Sequence, residues 1–334
     1  MVKQVDFPID FVVTWVDGND PGWKNKKNKY DSTKSGGQET SRFRDYEIFE
    51  YWFRAVEKYA GWVNHIYLIT DNQVPTWVNS KAKKLTVIDH NDFIPSQYLP
   101  VFNSSAIEIN IHRIESLSEH FVLFNDDMFL NNYVKKSDFF SEDGKPKDTA
   151  GLNAIQPHRM FDYIYTNMMV IINNNFTKKE VIRKQFFKFF HPANGILNLY
   201  TLLLLFLPKF TRFFDLHYPY SLNKSFANKV IEDNADAYAL TMGDRFRDKN
   251  DITIWLVRYY SLVTGFFSPR SVHFGKIYNL TQFDKMLNDL DYGNHNVIVI
   301  NDDESINQTE FESLKVKMKK HFDVKLPKKS QFEE

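Results

Sequence analysis

Five short apolar runs that each stop at an acidic or amide residue restrict the folds open to this chain more than any other feature. IDFVVTWV (9–16) ends at Asp17-Gly18, HIYLIT (65–70) at Asp71-Asn72, LTVID (85–89) at Asp89, FVLFNDD at Asp126-Asp127, and VIVI within NHNVIVINDDES (294–305) again at Asn-Asp-Asp. Continuous apolar runs of this length are strands buried on both faces, the pattern of parallel sheets covered by helices. Helical spacing lies between them. DYEIFEYWFRAVEKYA (45–60) places Ile48, Phe49, Trp52, Phe53 and Val56 on one face and meets Gly61, and FNSSAIEINIHRI (102–114) opens with Asn103 or Ser104 as a helix cap. The stretches SLNKSFANKVIEDNADAYALTM and DITIWLVRYYSLVTG read as two helices and QTEFESLKVKMKKHF as a terminal one. Strand and helix in alternation predict an α/β fold with a mixed sheet flanked by helices. Ligands of such sheets gather at the carboxyl ends of the strands, so Asp17, Asp71, Asp89, Asp126 and Asp127 are expected along one crevice. No GxGxxG or GxxxxGK[ST] loop is present, which argues against dinucleotide and P-loop sites.

Length and charge narrow the function. The 334 residues, 43% hydrophobic, supply ample core, and 42 Lys plus Arg balance 42 Asp plus Glu, so no global field favours nucleic acid as a partner. The lack of cysteine excludes disulfides, thiolate metal sites and a Cys nucleophile, and fits a reducing, cytoplasmic setting. Lys3, Asp6 and Asp10 precede or interrupt the first apolar run, which is not the plan of a secretory signal. The expected organisation is an N-terminal α/β part (1–149), an α-helical insertion (150–215) and a C-terminal part (216–334) that completes the same catalytic domain. The sequence leaves the oligomeric state open.

The insertion stands apart. ANGILNLYTLLLLFLP (193–208) is an uncharged stretch of sixteen residues, flanked by Lys178, Lys179, Arg183, Lys184 and Lys188 with interleaved Phe on one side and Lys209 and Arg212 on the other. A spanning helix needs roughly 20 apolar residues, and Asn194, Asn198 and Pro208 interrupt this one. A monotopic element on the inner face of the cytoplasmic membrane is the expectation, with a buried helix or a protomer contact as the other reading.

Two strand ends reading NDD, 125–127 and 301–303, can offer oxygen ligands to a hard divalent ion, Mg²⁺ or Mn²⁺. Successive side chains of a strand point to opposite faces, so one Asp of each pair faces the site. Asp127 and Asp302 are chosen, with Asp126 as the rival. Arg245 and Arg247 in MGDRFRDKND, and Arg42 and Arg44 in SRFRDYE, can clamp a phosphate or belong to solvated loops. Trp15 and Trp23 can stack on a base or sit in the core, and His217 in LHYPYS is by itself as ordinary as any lone histidine.

DFVVTWVDGNDPGW (10–23), RFRDYEIFEYWFRAVEKYAGWVNHIYLITDNQVPTWVN (42–79) and LPVFNSSAIEINIHRIESLSEHFVLFNDDMFL (99–130), followed in order by LHYPYS, RFRDKND, VIVINDDES and PKKSQFE, resemble the conserved regions of the Stealth family. That family comprises bacterial capsular polysaccharide phosphotransferases and the catalytic portion of the lysosomal-enzyme N-acetylglucosamine-1-phosphotransferase. The resemblance covers most of the chain except the insertion. It implies a fold related to GT-A glycosyltransferases and the transfer of a sugar-1-phosphate from a nucleotide diphosphate sugar, typically UDP-linked, to a hydroxyl of an acceptor glycan, with release of UMP; the membrane element expected in the insertion adds a lipid-linked acceptor. It also implies roles: Asp127 and Asp302 at a metal or catalytic site, His217 as general base, Arg247 as phosphate clamp. Thr14, Trp15, Asp17, Gly18, Arg44, Asn72 and Asn103 are then the expected substrate-binding residues. Two rival functions are a metal-dependent glycosyltransferase that releases UDP and a non-catalytic scaffold of a polysaccharide assembly complex.

Overall fold

The computed structural model describes residues 5–31, 44–158 and 161–334; Arg42 lies outside them. Among the described residues the first apolar run forms β1 (Ile9–Thr14), flanked in parallel by β2 (Ile66–Thr70) and β4 (His120–Asn125). β3 (Leu85–Asp89) extends the sheet beyond β2, and β9 (Tyr220–Asn223) closes the other edge antiparallel to β4. The order is therefore β3-β2-β1-β4-β9. Phe11, Val12 and Val13 are wholly buried, as a central strand covered on both faces requires. The mixed α/β architecture read from the sequence is what forms.

A second, three-stranded sheet is the feature the sequence did not disclose. After Asp126-Asp127 the chain turns into β5 (Met128–Leu130), which pairs antiparallel with β12 (Val297–Asn301), and β12 runs parallel to β11 (Gly275–Asn279). The two NDD segments thus end strands of different sheets. They nevertheless meet, because the register Val299↔Met128 sets them side by side and Ile300 N donates to Asp127 O at 3.0 Å. Two short pairs complete the strands: β6 (Lys147–Asp148) with β10 (Ser268–Pro269), and β7 (Leu152–Asn153) with β8 (Arg212–Phe213).

Helices α1 (Pro21–Tyr30), α2 (Phe49–Tyr59), α3 (His90–Phe93) and α4 (Ser104–Glu108) belong to the N-terminal half. α2 begins at Phe49 and not at Asp45, because Asp45 accepts from Glu47 N in a turn where Glu47 has φ +52°. Its apolar stripe seats on the sheet, with Trp52 edge-on to Phe124 at 5.4 Å, and truncating so buried a ring costs about 3–5 kcal/mol. The insertion folds as α5 (Phe161–Asn175), α6 (Lys178–Lys184), α7 (Phe186–Phe189) and α8 (Leu197–Leu204). The C-terminal half adds α9 (Lys224–Asp233), α10 (Ala235–Gly243), α11 (Trp255–Thr264), α12 (Phe283–Tyr292) and α13 (Gln308–Lys325). Two expectations shift here. The segment SLN, read as helix, is β9, captured by ladder bonds to β4; DITI precedes α11 instead of starting it. α13 returns to the core through Phe322, which meets Phe129 and Tyr51, each at 5.2 Å, so β12 and its acidic end are fixed against β4 and β5.

Candidate active site

The carboxyl ends of β1, β2 and β3 hold three of the expected acids, Asp17, Asp71 and Asp89, and their neighbours, and most of these already have partners. Asp17 Oδ1 accepts from Asn19 N at 2.8 Å while Gln73 Oε1 takes the Asp17 N–H at 2.9 Å. Gly18 is buried and Thr14 half-buried in this turn. Trp15 is half-buried and lies parallel to the Phe49 ring at 5.8 Å. Asp71 is buried and ion-paired with Lys26, and Asp89 caps α3. Asn72 is exposed with φ +55° and its N–H donates to Asp89; a left-handed Asn is a turn device.

At the next strand the situation reverses. His217 Nε2 lies 3.4 Å from Asp127 Oδ2, and its Nδ1 is 2.9 Å from the Tyr220 hydroxyl. β9 supplies Tyr220 and the segment before it supplies His217, which places both beside the end of β4. Asp127 Oδ1, Asp302 Oδ2, Asn125 Oδ1 and the Tyr46 hydroxyl are all buried without a hydrogen-bond partner among the described residues. Buried polar atoms are rarely left so, and several close together mark a place built for something else. Burial first, then the Asp302, Asp127 and Asp126 carboxylates, push the Tyr46 phenol far up, so it stays a protonated donor. Asp126 is exposed beside them.

Asp302 Oδ1 accepts from Asp303 N at 2.7 Å and sits 3.5 Å from Arg44 Nη1. Burial raises its carboxyl from the ordinary value, although Arg44 pulls the other way. Arg44, expected at the nucleotide, also donates to Ile306 O at 3.0 Å and lies over the Phe311 ring. Its position is at the acidic end of β12.

Arg247 Nη2 donates to Ser104 Oγ at 2.8 Å, joining the loop after α10 to α4. Asn103 is buried; its Oδ1 caps α4 through Ser105 N at 3.1 Å and its Nδ2 donates to Asp251 Oδ2 at 2.8 Å. Through these bonds Asn103, expected at the substrate, braces the loop that carries Arg247. One turn of α4 after Ser104 comes Glu108, almost fully buried and pushed up to about 7 by burial, against the pull of Arg247 and His217. Burial also opposes charge on His217, yet Asp127, Glu108 and Asp215 outweigh it and its pKa is raised. Glu108, Tyr220 and Tyr46 were not singled out in the sequence. The i, i+4 spacing of Ser104 and Glu108 and the three-residue step from His217 to Tyr220 were the only signals available for two of them.

The oxygen-rich donor set suits a hard cation. Among the described residues no three His, Cys, Asp or Glu side chains converge on one point, so a cage of protein ligands alone is not built there. Two carboxylates with free buried oxygens do fit Mg²⁺, which commonly keeps waters and takes substrate phosphates as its remaining ligands.

An α/β sheet whose carboxyl edge carries unsatisfied carboxylate oxygens, an imidazole–carboxylate pair and an arginine belongs to an enzyme of group transfer on a charged substrate. The chain belongs to the Stealth family. Models of Stealth conserved region 1 and conserved region 2 match residues 7–35 and 42–148. The chain is 51% identical over 327 residues to an exopolysaccharide phosphotransferase of Lactiplantibacillus plantarum, covering 98% of this chain and 96% of that one. It is 42% identical to a capsular polysaccharide phosphotransferase of Streptococcus pneumoniae, with 97% and 98% covered, and 39% identical to a receptor polysaccharide phosphotransferase of Streptococcus oralis, with 97% and 99% covered. A solved galactosyltransferase in complex with donor and acceptor sugar analogues aligns over 92% of this chain and 95% of that one at 8% identity, with a TM-score of 0.40, too loose a likeness to argue from.

Proposed function

We propose that the protein transfers a sugar-1-phosphate from a UDP-linked sugar to a hydroxyl of an acceptor glycan in cell-surface polysaccharide synthesis, forming a phosphodiester and releasing UMP. The observation that carries this reading is the His217–Asp127 pair, 3.4 Å apart, beside buried oxygens of Asp127 and Asp302 that have no partner. Full-length relatives named phosphotransferases support it.

The acceptor hydroxyl attacks the β-phosphorus, the bond from that phosphorus to the bridging oxygen breaks, and UMP departs with that oxygen. His217 takes the hydroxyl proton at Nε2. With Nδ1–H donating to the Tyr220 oxygen the neutral ring keeps Nε2 free, and the imidazolium that forms then donates to Asp127 Oδ2. Arg247, braced by Ser104, faces the charge that spreads over the phosphoryl oxygens, where positioning and electrostatics supply most of the catalysis. Asp127 and Asp302 would hold Mg²⁺, with Asp126 as the rival ligand; the ion supplies charge neutralisation on the diphosphate. Thr14, Asp17, Gly18 and Asn72 line the end of the crevice where the nucleotide fits, with Trp15 and Arg44 bordering it. The acceptor is lipid-linked in this reading, and the enzyme works peripherally at the inner face of the cytoplasmic membrane.

A UDP-sugar labelled at the β-phosphate tests the reaction. Label in the glycan with UMP released is expected; UDP released over an unlabelled glycan identifies an ordinary glycosyltransferase instead, and absence of any nucleotide-sugar binding favours a scaffold.

A further inference from the structure

α8 carries large apolar side chains on its solvent side as well as its inner side, and only the inner side is packed. Leu197 and Thr201, one turn apart, face inward: Leu197 closes on Gly151, where an added Cβ would meet it at 2.9 Å, and Thr201 Oγ1 accepts from Leu152 N at 3.0 Å. Ile196, Leu199, Leu202 and Leu203 face outward and are exposed, as is Phe206 just beyond, at 80%. A contiguous row of exposed large apolar side chains marks an interaction surface. At α7 the same division recurs, with Phe189 buried near Phe213 and Phe187 83% exposed.

These pieces form one rigid cap. Asn194 Nδ2 donates to Lys188 O and Phe189 O, at 2.9 and 3.0 Å, and Asn198 Nδ2 to His191 O at 3.0 Å, which ties α8 to the end of α7. Gly195 makes the turn between them at φ +55°, a conformation that favours glycine. The buried Lys178 of α6 donates its Nζ to Leu204 O and Leu207 O at 2.6 and 2.9 Å, satisfying carbonyls at the C-terminal end of α8. The exposed apolar side chains therefore sit on a braced surface.

Charge decides what covers it. From Val181 to Phe214 there is no Asp or Glu, and Arg183, Lys184 and Lys209 are exposed at the flanks, with the exposed Glu180 beside Lys179 just outside this stretch. A two-fold contact with a second copy would bring like charges face to face, since such an interface pairs a patch with itself. An anionic bilayer presents the complementary surface: acyl chains for the Phe and Leu side chains, headgroup phosphates for the cations. α8, of eight residues, is about 12 Å long against a hydrocarbon layer of about 30 Å. No helix among the described residues is long and apolar enough to cross a membrane, so the cap can only lie in one leaflet.

We propose that α7, α8 and the turn to Phe206 form a monotopic wedge that inserts Phe187, Leu203 and Phe206 into an anionic leaflet. The insertion then leads straight into β8 and the His217 segment, so the wedge fixes the base relative to the membrane plane. This deepens the peripheral placement proposed above, but binding is read without donor or acceptor. Failure of the wedge leaves the transferase reading intact, and failure of the labelled-donor assay leaves the wedge intact.

The test is cosedimentation of the full chain with phosphatidylglycerol–phosphatidylcholine vesicles and with phosphatidylcholine alone, together with the mass in solution. The expected result is salt-sensitive binding to the anionic vesicles, weakened at least tenfold in a Phe187→Ser/Leu203→Ser/Phe206→Ser variant. The same variant keeps its transfer rate on a water-soluble acceptor, which shows that it is folded. An Arg183→Gln/Lys184→Gln/Lys209→Gln variant loses the preference for anionic lipid. No binding to anionic vesicles at physiological salt, binding unchanged in the triple serine variant, or a stable dimer that this variant splits into monomers would each overturn the proposal.

Discussion

Two clusters of acids and bases lie close together along the chain around Asp215 and His217, and they are built in opposite ways. In the first, the buried Arg258 donates Nε to Asp148 Oδ2 at 2.6 Å, Nη1 to Asp215 Oδ1 at 2.8 Å and Nη2 to Thr149 O and Phe214 O. Asp215 is further held by Arg212 at 3.1 Å and by the Tyr259 hydroxyl. Both Asp215 oxygens and every Arg258 nitrogen have partners. In the second, two residues on, His217 faces Asp127 at 3.4 Å, and Asp127 Oδ1 and Asp302 Oδ2 are buried with none. A closed network rigidifies; an open one carries a penalty that only a ligand removes. The closed cluster anchors the strand β8 and the segment that delivers His217, and the open one is where the chemistry is placed.

Substitutions can break this division. Asp302→Asn is expected to lower transfer by roughly 10²–10³, the size seen when one electrostatic contact to a transition state is lost, and to raise the Mg²⁺ concentration needed for half-maximal rate, with the melting curve nearly unchanged. Loss of stability without loss of rate would assign Asp302 to the closed class. Arg258→Met should do the reverse. It leaves the half-buried Asp148 without its cation and Asp215 with that of Arg212 alone, a loss of about 3–5 kcal/mol read in denaturant unfolding, and activity falls only as folding does.

The titration of His217 gives a finer measure. Its raised pKa means that the neutral base is complete only above the usual histidine range, so the rate falls as pH drops through a value above about 6.5. Removing the nearby negative charge with Asp127→Asn moves that titration down, as followed by NMR of the imidazole; an unchanged pKa would show that the pair is not coupled. Tyr220→Phe releases the Nδ1 partner and is expected to slow transfer about tenfold without moving the donor KM. The smallest effect belongs to the nucleotide end, where Asn72 already occupies the left-handed region at φ +55°. Asn72→Gly tolerates that backbone and shifts stability by a few tenths of a kcal/mol, while Asn72→Ala costs about 1–2 kcal/mol; a raised donor KM in the glycine variant reports the side chain alone.

The apolar strands were legible because each is a short unbroken run closed by Asp or Asn, and β3 falls at 85–89 as read. β9 was not. Its four residues, Tyr220–Asn223, carry no alternation of their own and become a strand only by pairing with β4. In the site, Asp127 and His217 were legible through the resemblance, and their contact at 3.4 Å joins segments 90 positions apart. Glu108 and Tyr46 escaped for the same reason in reverse: nothing local distinguishes them, and only the packing of α4 and of residue 46 against the ends of β4 and β12 gives them their environment. Of the two cap candidates, Asn103 or Ser104, it is Asn103 that caps α4, and its amide also reaches Asp251, a long-range bond that no local pattern discloses. The insertion lacked clean periodicity because α6, α7 and α8 are short and α8 carries apolar side chains on its outer side as well as its inner one.

The most direct test of the open cluster is the transfer rate of His217→Ala at saturating donor and acceptor, measured beside its melting curve. The account predicts a fall of about 10²–10⁴ in rate, the usual contribution of a general base, in a protein that melts like the native one. A rate within tenfold of native would contradict it, and would move the proton acceptor to another group.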